Sequence, residues 1–542
     1  MNRRFTNELK KLKSLAVLFD KESEELKYKH LSSVSEINLP LDASLSAYQH
    51  LLLFMSAYPS SEKTEKRINA EKKRIVQTLR KSAGKLQKLD GSGLPFTVTR
   101  ASFTHDLILL LKNNPQLELN FYSSDEENIE LNHLLSFTLP DIEKDHTSAG
   151  LPQDDLLETL GVKEKDKLNF VIDELCKLNH IPFIKDFLLD KFNLFIEIKP
   201  KSPDFSKLYN YLPSEKKYFH SEIIKKFDHN ALVQLPLPSP SDLNENDLQK
   251  LISVMQNALA LLERETDPCT FIDPKSLRYY ELERGISVAI FGMIPERQMS
   301  MESYVGYTLF KNGYPCAYGG AWIYGTRSLF GINIFEQFRG GESGYILIQL
   351  LRVYKQVFGL NYFEVEPYQY GLDNPEGIES GAFWFYYRFG FRPLDKDLLK
   401  LSVQEAEKIK NKKGYRSSSK TLIRFTESNI GWKIEGETAV PVSDLRAKIT
   451  AFISYEYNGN RKRAIQESVE YLAGKLNLPN YSDPAKIKTL QDLSLVVHAL
   501  KINNTEMLSL IPQMISKKAD DLYTYNEILK KFQTVLNTKL KK

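Results

Sequence analysis

The chain predicts an α+β protein: a mixed β-sheet with helices on both faces, flanked by a large helical region before it and a smaller one after it. Glycine is the first observation. Sixteen of the 26 glycines lie between Gly285 and Gly390, with five before that window and five after it. All three tryptophans (Trp322, Trp384, Trp432) fall in or just after the same window. Strands joined by tight turns consume glycine, so the middle is the sheet and the flanks are helical. The third observation is the segment IFEQFRGGESGYILIQLLR (334–352), where an apolar strand runs through a glycine-rich turn into an amphipathic helix.

Residues 1–233 carry helical patterns such as SLSAYQHLLLFMSAY and DDLLETLGVKEKDKLNFVIDELCKL, and they read as a mainly helical region. The acidic stretch Ser123–Asp145 reads as a loop between two helical groups. QLPLPSPSD (Gln234–Asp242) is a stiff proline-rich linker. Ser241 or Asp242 then caps a helix whose apolar positions Leu248, Leu251, Ile252, Met255, Leu259 and Leu262 follow helical spacing. That helix opens a middle domain over residues 243–435, with its core at 275–430.

In the middle, ISVAIFGMI has a strand pattern, and Asn312-Gly313 between two apolar runs marks a hairpin. Next come the strand ending at Phe335, the turn, and a helix burying Ile346, Leu347, Leu350, Leu351, Tyr354 and Phe358 before Gly359 stops it. NYFEVEP is a strand, GAFWFYYRFGF an aromatic helix, and TLIRF a closing strand after a charged helical insert. Residues 436–542 read as helices, for example LRAKITAFISYEY and LQDLSLVVHALKI.

With 542 residues the chain exceeds one core. Its 42% apolar and 26% charged content is that of a soluble globular protein, and a net charge of +4 argues against a dedicated nucleic-acid binder. Cys176, Cys269 and Cys316 are far apart, which excludes a disulfide framework or a thiolate zinc site and suits a reducing cytosol. The apolar run SLAVLF near the N-terminus is too short for a signal peptide, and no run reaches membrane-spanning length. A cytoplasmic protein is the expectation.

The turn at 339–344 is where ligand chemistry is written. Amides at a helix start lack intrahelical partners, the helix dipole adds positive charge, and Gly340, Gly341 and Gly344 let an anion approach the main chain. The middle, over roughly residues 275–430, resembles the GNAT acyltransferase superfamily. Arg339 and Gly344 fall on the ends of that family's Arg/Gln-x-x-Gly-x-Gly/Ala motif, which binds the coenzyme A pyrophosphate. Ala382, Phe385, Tyr386, Gly390 and Phe391 fit the spacing of its next helix. The family's middle glycine is Glu342 here. A carboxylate 4 Å from a phosphate charge costs about 4 kcal/mol at an effective dielectric near 20, unless it turns away or pairs with Arg339.

The resemblance implies acetyl-coenzyme A or another acyl-coenzyme A as co-substrate, no metal, and direct attack by an unidentified amine. Arg339, Gly340 and the amides of Gly341, Ser343 and Gly344 would hold the pyrophosphate, and the amides near Ile334 and Phe335 would polarise the thioester carbonyl. Tyr386 would reprotonate the thiolate. No histidine lies between His229 and His498, so the base is a carboxylate, a tyrosine or a water relay. Glu336 and Glu366, at the ends of adjacent strands, are the candidates. Two alternatives stand beside this: a silent GNAT-like scaffold that binds a partner through its helical flanks, and an aminoacyl-tRNA-using transferase. The basic runs Ser61–Lys88 and Ala406–Lys420 would serve the second, but they lack the interleaved aromatics of a base-stacking surface.

Overall fold

A computed structural model describes residues 3–124, 129–178, 182–213 and 216–540. The chain divides into two compact units: Met1–Ile223 with Leu243–Thr266 and Lys311–Pro315, and Ile224–Asp242 with Asp267–Phe310 and Cys316–Lys542. This division cuts across the sequence-based one. The helix after the proline-rich segment belongs to the first unit, and the C-terminal helices belong with the sheet.

The first unit opens with four helices, Arg3–Leu15, Lys21–Ser35, Ala43–Ala57 and Glu62–Lys81. Asp20, Asp42 and Ser61 cap the last three by accepting first-turn amides. It also holds a sheet that a mainly helical reading misses: β1 (Thr99–Ser102), β2 (Leu117–Ser124) and β3 (Leu194–Pro200), in the order β1-β3-β2, all antiparallel. The period-two signal was present in LFIEIKP, whose Leu194, Ile196 and Ile198 are buried in one core with Val171, Ile172 and Phe192. The expected loop Ser123–Asp145 contains a short helix, Leu131–Leu135, and its residues 125–128 lie outside the described residues. The helix Glu245–Ala260 is capped by Asn244, whose side chain accepts the Asp247 amide, instead of by Ser241 or Asp242.

The second unit is built on eight strands: β4 (Arg278–Glu281), β5 (Ile286–Phe291), β6 (Ser303–Lys311), β7 (Tyr314–Tyr324), β8 (Arg327–Ile334), β9 (Tyr362–Val365), β10 (Arg392–Pro393) and β11 (Ile430–Lys433). Their order is β10-β11-β9-β8-β7-β6-β5-β4. Asn312 and Gly313 join β6 to β7 with φ of 47° and 82°, the left-handed pair a tight hairpin demands. β8 and β9 run parallel, joined by the helix Ser343–Phe358, so the sheet is mixed and the protein is α+β.

That helix covers one sheet face, with the Tyr354 hydroxyl donating to the Val305 carbonyl at 2.8 Å and its ring edge-on to Tyr307. C-terminal helices share a core with Tyr324 through Leu493, Val496, Ile511, Met514, Tyr525 and Phe532. The helix Leu522–Leu540 is stitched to the sheet end, where Asn526 donates to the Gly325 and Phe358 carbonyls and Gln533 to that of Tyr324. These residues are therefore part of the sheet unit instead of a separate region. One strand expectation fails: TLIRF lies in the helix Ser419–Phe425, capped by Ser418. A five-residue apolar run cannot distinguish the two by periodicity. The closing strand is β11, IGWK, four residues further on.

Candidate functional site

The parallel pair β8–β9 is short. Arg327, Ser328 and Leu329 pair with Tyr362, Phe363 and Glu364, and there the pairing ends. β8 continues to Ile334 against β7, while β9 turns away and Val365 pairs with β11. A gap opens at Phe330, and no strand among the described residues fills it. The Gln369 carboxamide does, accepting the Ile332 N–H at 3.2 Å. A Cβ on Gly331 would meet that carboxamide at 2.7 Å. The Tyr307 hydroxyl donates to the Gly331 carbonyl at 2.7 Å. One tyrosine, one carboxamide and an occupied amide thus converge where the strands part.

β8 leads through the single turn Glu336–Phe338 into the glycine bend. The Phe335 amide donates to the Cys316 carbonyl at 2.9 Å and that of Gly341 to Phe338 at 3.0 Å. Neither is available to a ligand, which corrects the expectation for both. Arg339 is exposed, donates to the Ile334 carbonyl at 3.2 Å and pairs with Glu376. A Cβ at Gly340 would meet nothing within 4 Å, whereas one at Gly344 would come 2.4 Å from the Phe389 ring. Ser343 donates to the Arg339 carbonyl at 3.2 Å. The amides of Ser343, Gly344 and Tyr345, the first turn of the helix, have no acceptor among the described residues.

Glu342 does not pair with Arg339. Its side chain is fully buried and accepts from Arg284 Nε at 3.0 Å and Nη2 at 2.6 Å, and from the Ile224 amide at 3.0 Å. Phe227, three residues on, lies edge-on to Tyr345 at 5.3 Å and stacks on Phe389 at 5.9 Å. The chain's own carboxylate is thus held in a guanidinium-and-amide socket beside the helix start.

Tyr386, on the helix Ala382–Arg388, is 2% exposed and ringed by Phe385, Phe391 and Tyr370. Its hydroxyl has no hydrogen-bond partner among the described residues, and burial pushes its pKa well above the usual tyrosine range, so it stays protonated at neutral pH. Glu336 and Glu366 are both exposed, at the C-terminal ends of β8 and β9. Glu364, by contrast, is buried and bound by Arg327 and Asn429.

Compared with models of known families, with characterised proteins and with solved structures, the chain matches none of them. Among the described residues no group of three His, Cys, Asp or Glu is placed to hold a metal ion, and no helix is long and apolar enough to cross a membrane. A cavity of about 350 Å³ in the first unit, lined by Asn114, Phe205, Asn210, Lys250 and Asn257, contains none of the residues the sequence singled out. Sequence reasoning missed Arg284, Gln369 and Tyr307. The only local hint was Arg284-Gly285, whose positive φ values of 62° and 68° make a turn signal with no indication of its distant partner.

Proposed function

We propose that the second unit transfers an acyl group from acyl-coenzyme A to an amine, as its resemblance to the GNAT superfamily implies. One observation carries the reading: a parallel strand pair that opens after three residues, in a unit whose following helix has three acceptorless first-turn amides. Such a gap exposes main-chain N–H groups to an extended pantetheine arm, and such a helix start suits its pyrophosphate. With the Gln369 carboxamide withdrawn, the Ile332 N–H is the donor for the carbonyl oxygen on which charge develops. The amine nitrogen attacks the thioester carbon, the C–N bond forms, and the C–S bond breaks. Tyr386 gives its proton to the leaving thiolate, and Glu366 or Glu336 takes the proton from nitrogen.

Calorimetric titration with acetyl-coenzyme A tests the reading, with Gln369→Ala expected to bind more tightly because it vacates the Ile332 amide. Arg339→Ala, which deletes an exposed guanidinium paired with Glu376, is expected to weaken binding by only a few-fold, in line with a surface charge. Tyr386→Phe should lower kcat by about 100-fold at unchanged KM. Its stability should hold, since the hydroxyl it loses bonds to nothing described. Unchanged kcat would leave Tyr386 as core packing.

The buried Glu342 favours a second reading, a silent module acting as a scaffold. If wild type binds no acyl-coenzyme A of any chain length and Glu342→Gly does, the natural protein is that scaffold. The substitution removes the internal anion and leaves the Arg284 guanidinium beside the first-turn amides.

A further inference from the structure

We propose that the sheet face opposite the helix Ser343–Phe358 is the acceptor subsite and that it takes an aliphatic ammonium ion. Its place in a reaction rests on the acyl-transfer reading, while the binding itself is testable alone. Side chains alternate between the faces of a strand. Register pairs Gly320 with Gly331 and Trp322 with Leu329, so these four share one face. Tyr304 lies on it: a Cβ on Gly320 would meet its ring at 2.4 Å, and the ring stacks on Trp322 at 4.4 Å and 9°. Leu329 pairs with Glu364, so Glu364 and, two residues on, Glu366 lie on the same side. Glu364 is consumed by Arg327 and Asn429. Glu366 is exposed, and its carboxylate has no partner among the described residues.

The face therefore presents two partly exposed parallel rings, with Tyr304 lying over Gly320 and the Gln369 carboxamide over Gly331, and it ends in an unneutralised carboxylate at the mouth of the gap. After burial, the charges of Asp267 and Glu366 both help the Tyr304 hydroxyl keep its proton. Aromatic faces with carboxylates alongside attract cations and repel anions. Methylenes lie on the rings, and the ammonium reaches Glu366. There Glu366 accepts one N–H proton and passes it to bulk water, the neutral amine attacks, and the C–S bond breaks as Tyr386 protonates the thiolate; the second N–H proton, lost from nitrogen after attack, returns through Glu366 and water to the tyrosinate.

The experiment titrates the full chain with n-hexylammonium and, separately, with n-hexanol, by calorimetry and without acyl-coenzyme A. Wild type is expected to bind the ammonium about tenfold more tightly than the alcohol, the equivalent of one charge-assisted contact. Glu366→Gln, at an exposed unpaired position that packing does not need, should erase that preference, and Trp322→Ala should weaken both ligands while Trp322→Phe restores them. Equal affinity for the two probes, or a preference that survives Glu366→Gln, overturns the assignment. If acetyl-coenzyme A binds but the ammonium does not, the subsite falls and the transferase reading stands. Glu366-dependent ammonium binding with no acyl-coenzyme A binding leaves the subsite standing and the transferase reading lost.

Discussion

Arg284→Ala is expected to destabilise the second unit by about 3–5 kcal/mol, the range for stripping a buried ion of its partner. Glu342 is 1% exposed and receives two bonds from the Arg284 guanidinium. The Ile224 amide and the helix dipole remain in the variant, but neither carries a full compensating charge. Alanine is the right comparison, because Arg284 sits at a φ of 62° and glycine there would also relieve backbone strain. Urea unfolding should show a lower midpoint at unchanged slope. Arg284→Met with Glu342→Gln should recover most of the loss, since removing both charges removes the uncompensated one. A loss under about 1 kcal/mol would mean that Glu342 takes up a proton or reaches water, placing the pair among those of surface strength.

This ion pair shows where the sequence stops being legible. Features fixed within a few residues were readable: the Asn312-Gly313 hairpin, the helix stop at Gly359 with its φ of 66°, and the strand–turn–helix around Gly340. Partner choice across long separations was not. Glu342 and Arg284 lie 58 residues apart, and Gln369 and Ile332 lie 37 apart. Nothing in GGES says whether its carboxylate faces a ligand or a buried guanidinium. Likewise RGGES promised five ligand-facing groups, but Arg339 and the Gly341 amide are engaged within the bend itself, because a turn this tight satisfies its own polar groups first. Of the others, the amides of Ser343 and Gly344 keep no acceptor among the described residues because they belong to the first turn of the helix, where geometry forbids an internal partner. In the first unit the alternation of LFIEIKP was visible, but its two pairing strands are separated from it by long stretches of helix, so no local signal announced a sheet.

Stability of both units should rise with pH between about 7.5 and 9.5, against the usual fall on the alkaline side. Lys72 in the first unit and Lys518 in the second are buried, and desolvation lowers both to about 7 from 10.5. Lys72 donates to the Tyr314 hydroxyl at 2.7 Å, and Lys518 donates to the Glu302 carbonyl at 2.7 Å and the Ser303 hydroxyl at 2.9 Å, so neither contacts a carboxylate. In that window the unfolded chain holds a proton at each site that the folded chain has lost, so stability climbs by up to about 1.4 kcal/mol per pH unit for each lysine. Above pH 10 the trend reverses, because buried tyrosines such as Tyr314 stay neutral in the fold but ionise once unfolded. Hydrogen exchange followed peptide by peptide separates the two units. Lys72→Met should flatten the slope in the first unit only and Lys518→Met in the second only. Each should also raise stability at pH 7 by several kcal/mol, less about 1 kcal/mol for lost hydrogen bonds. The advantage of each variant should vanish near pH 10, where the unfolded lysine is itself losing its proton. Flat wild-type stability between pH 7.5 and 9.5 would show that both ammonium groups reach water in the folded state.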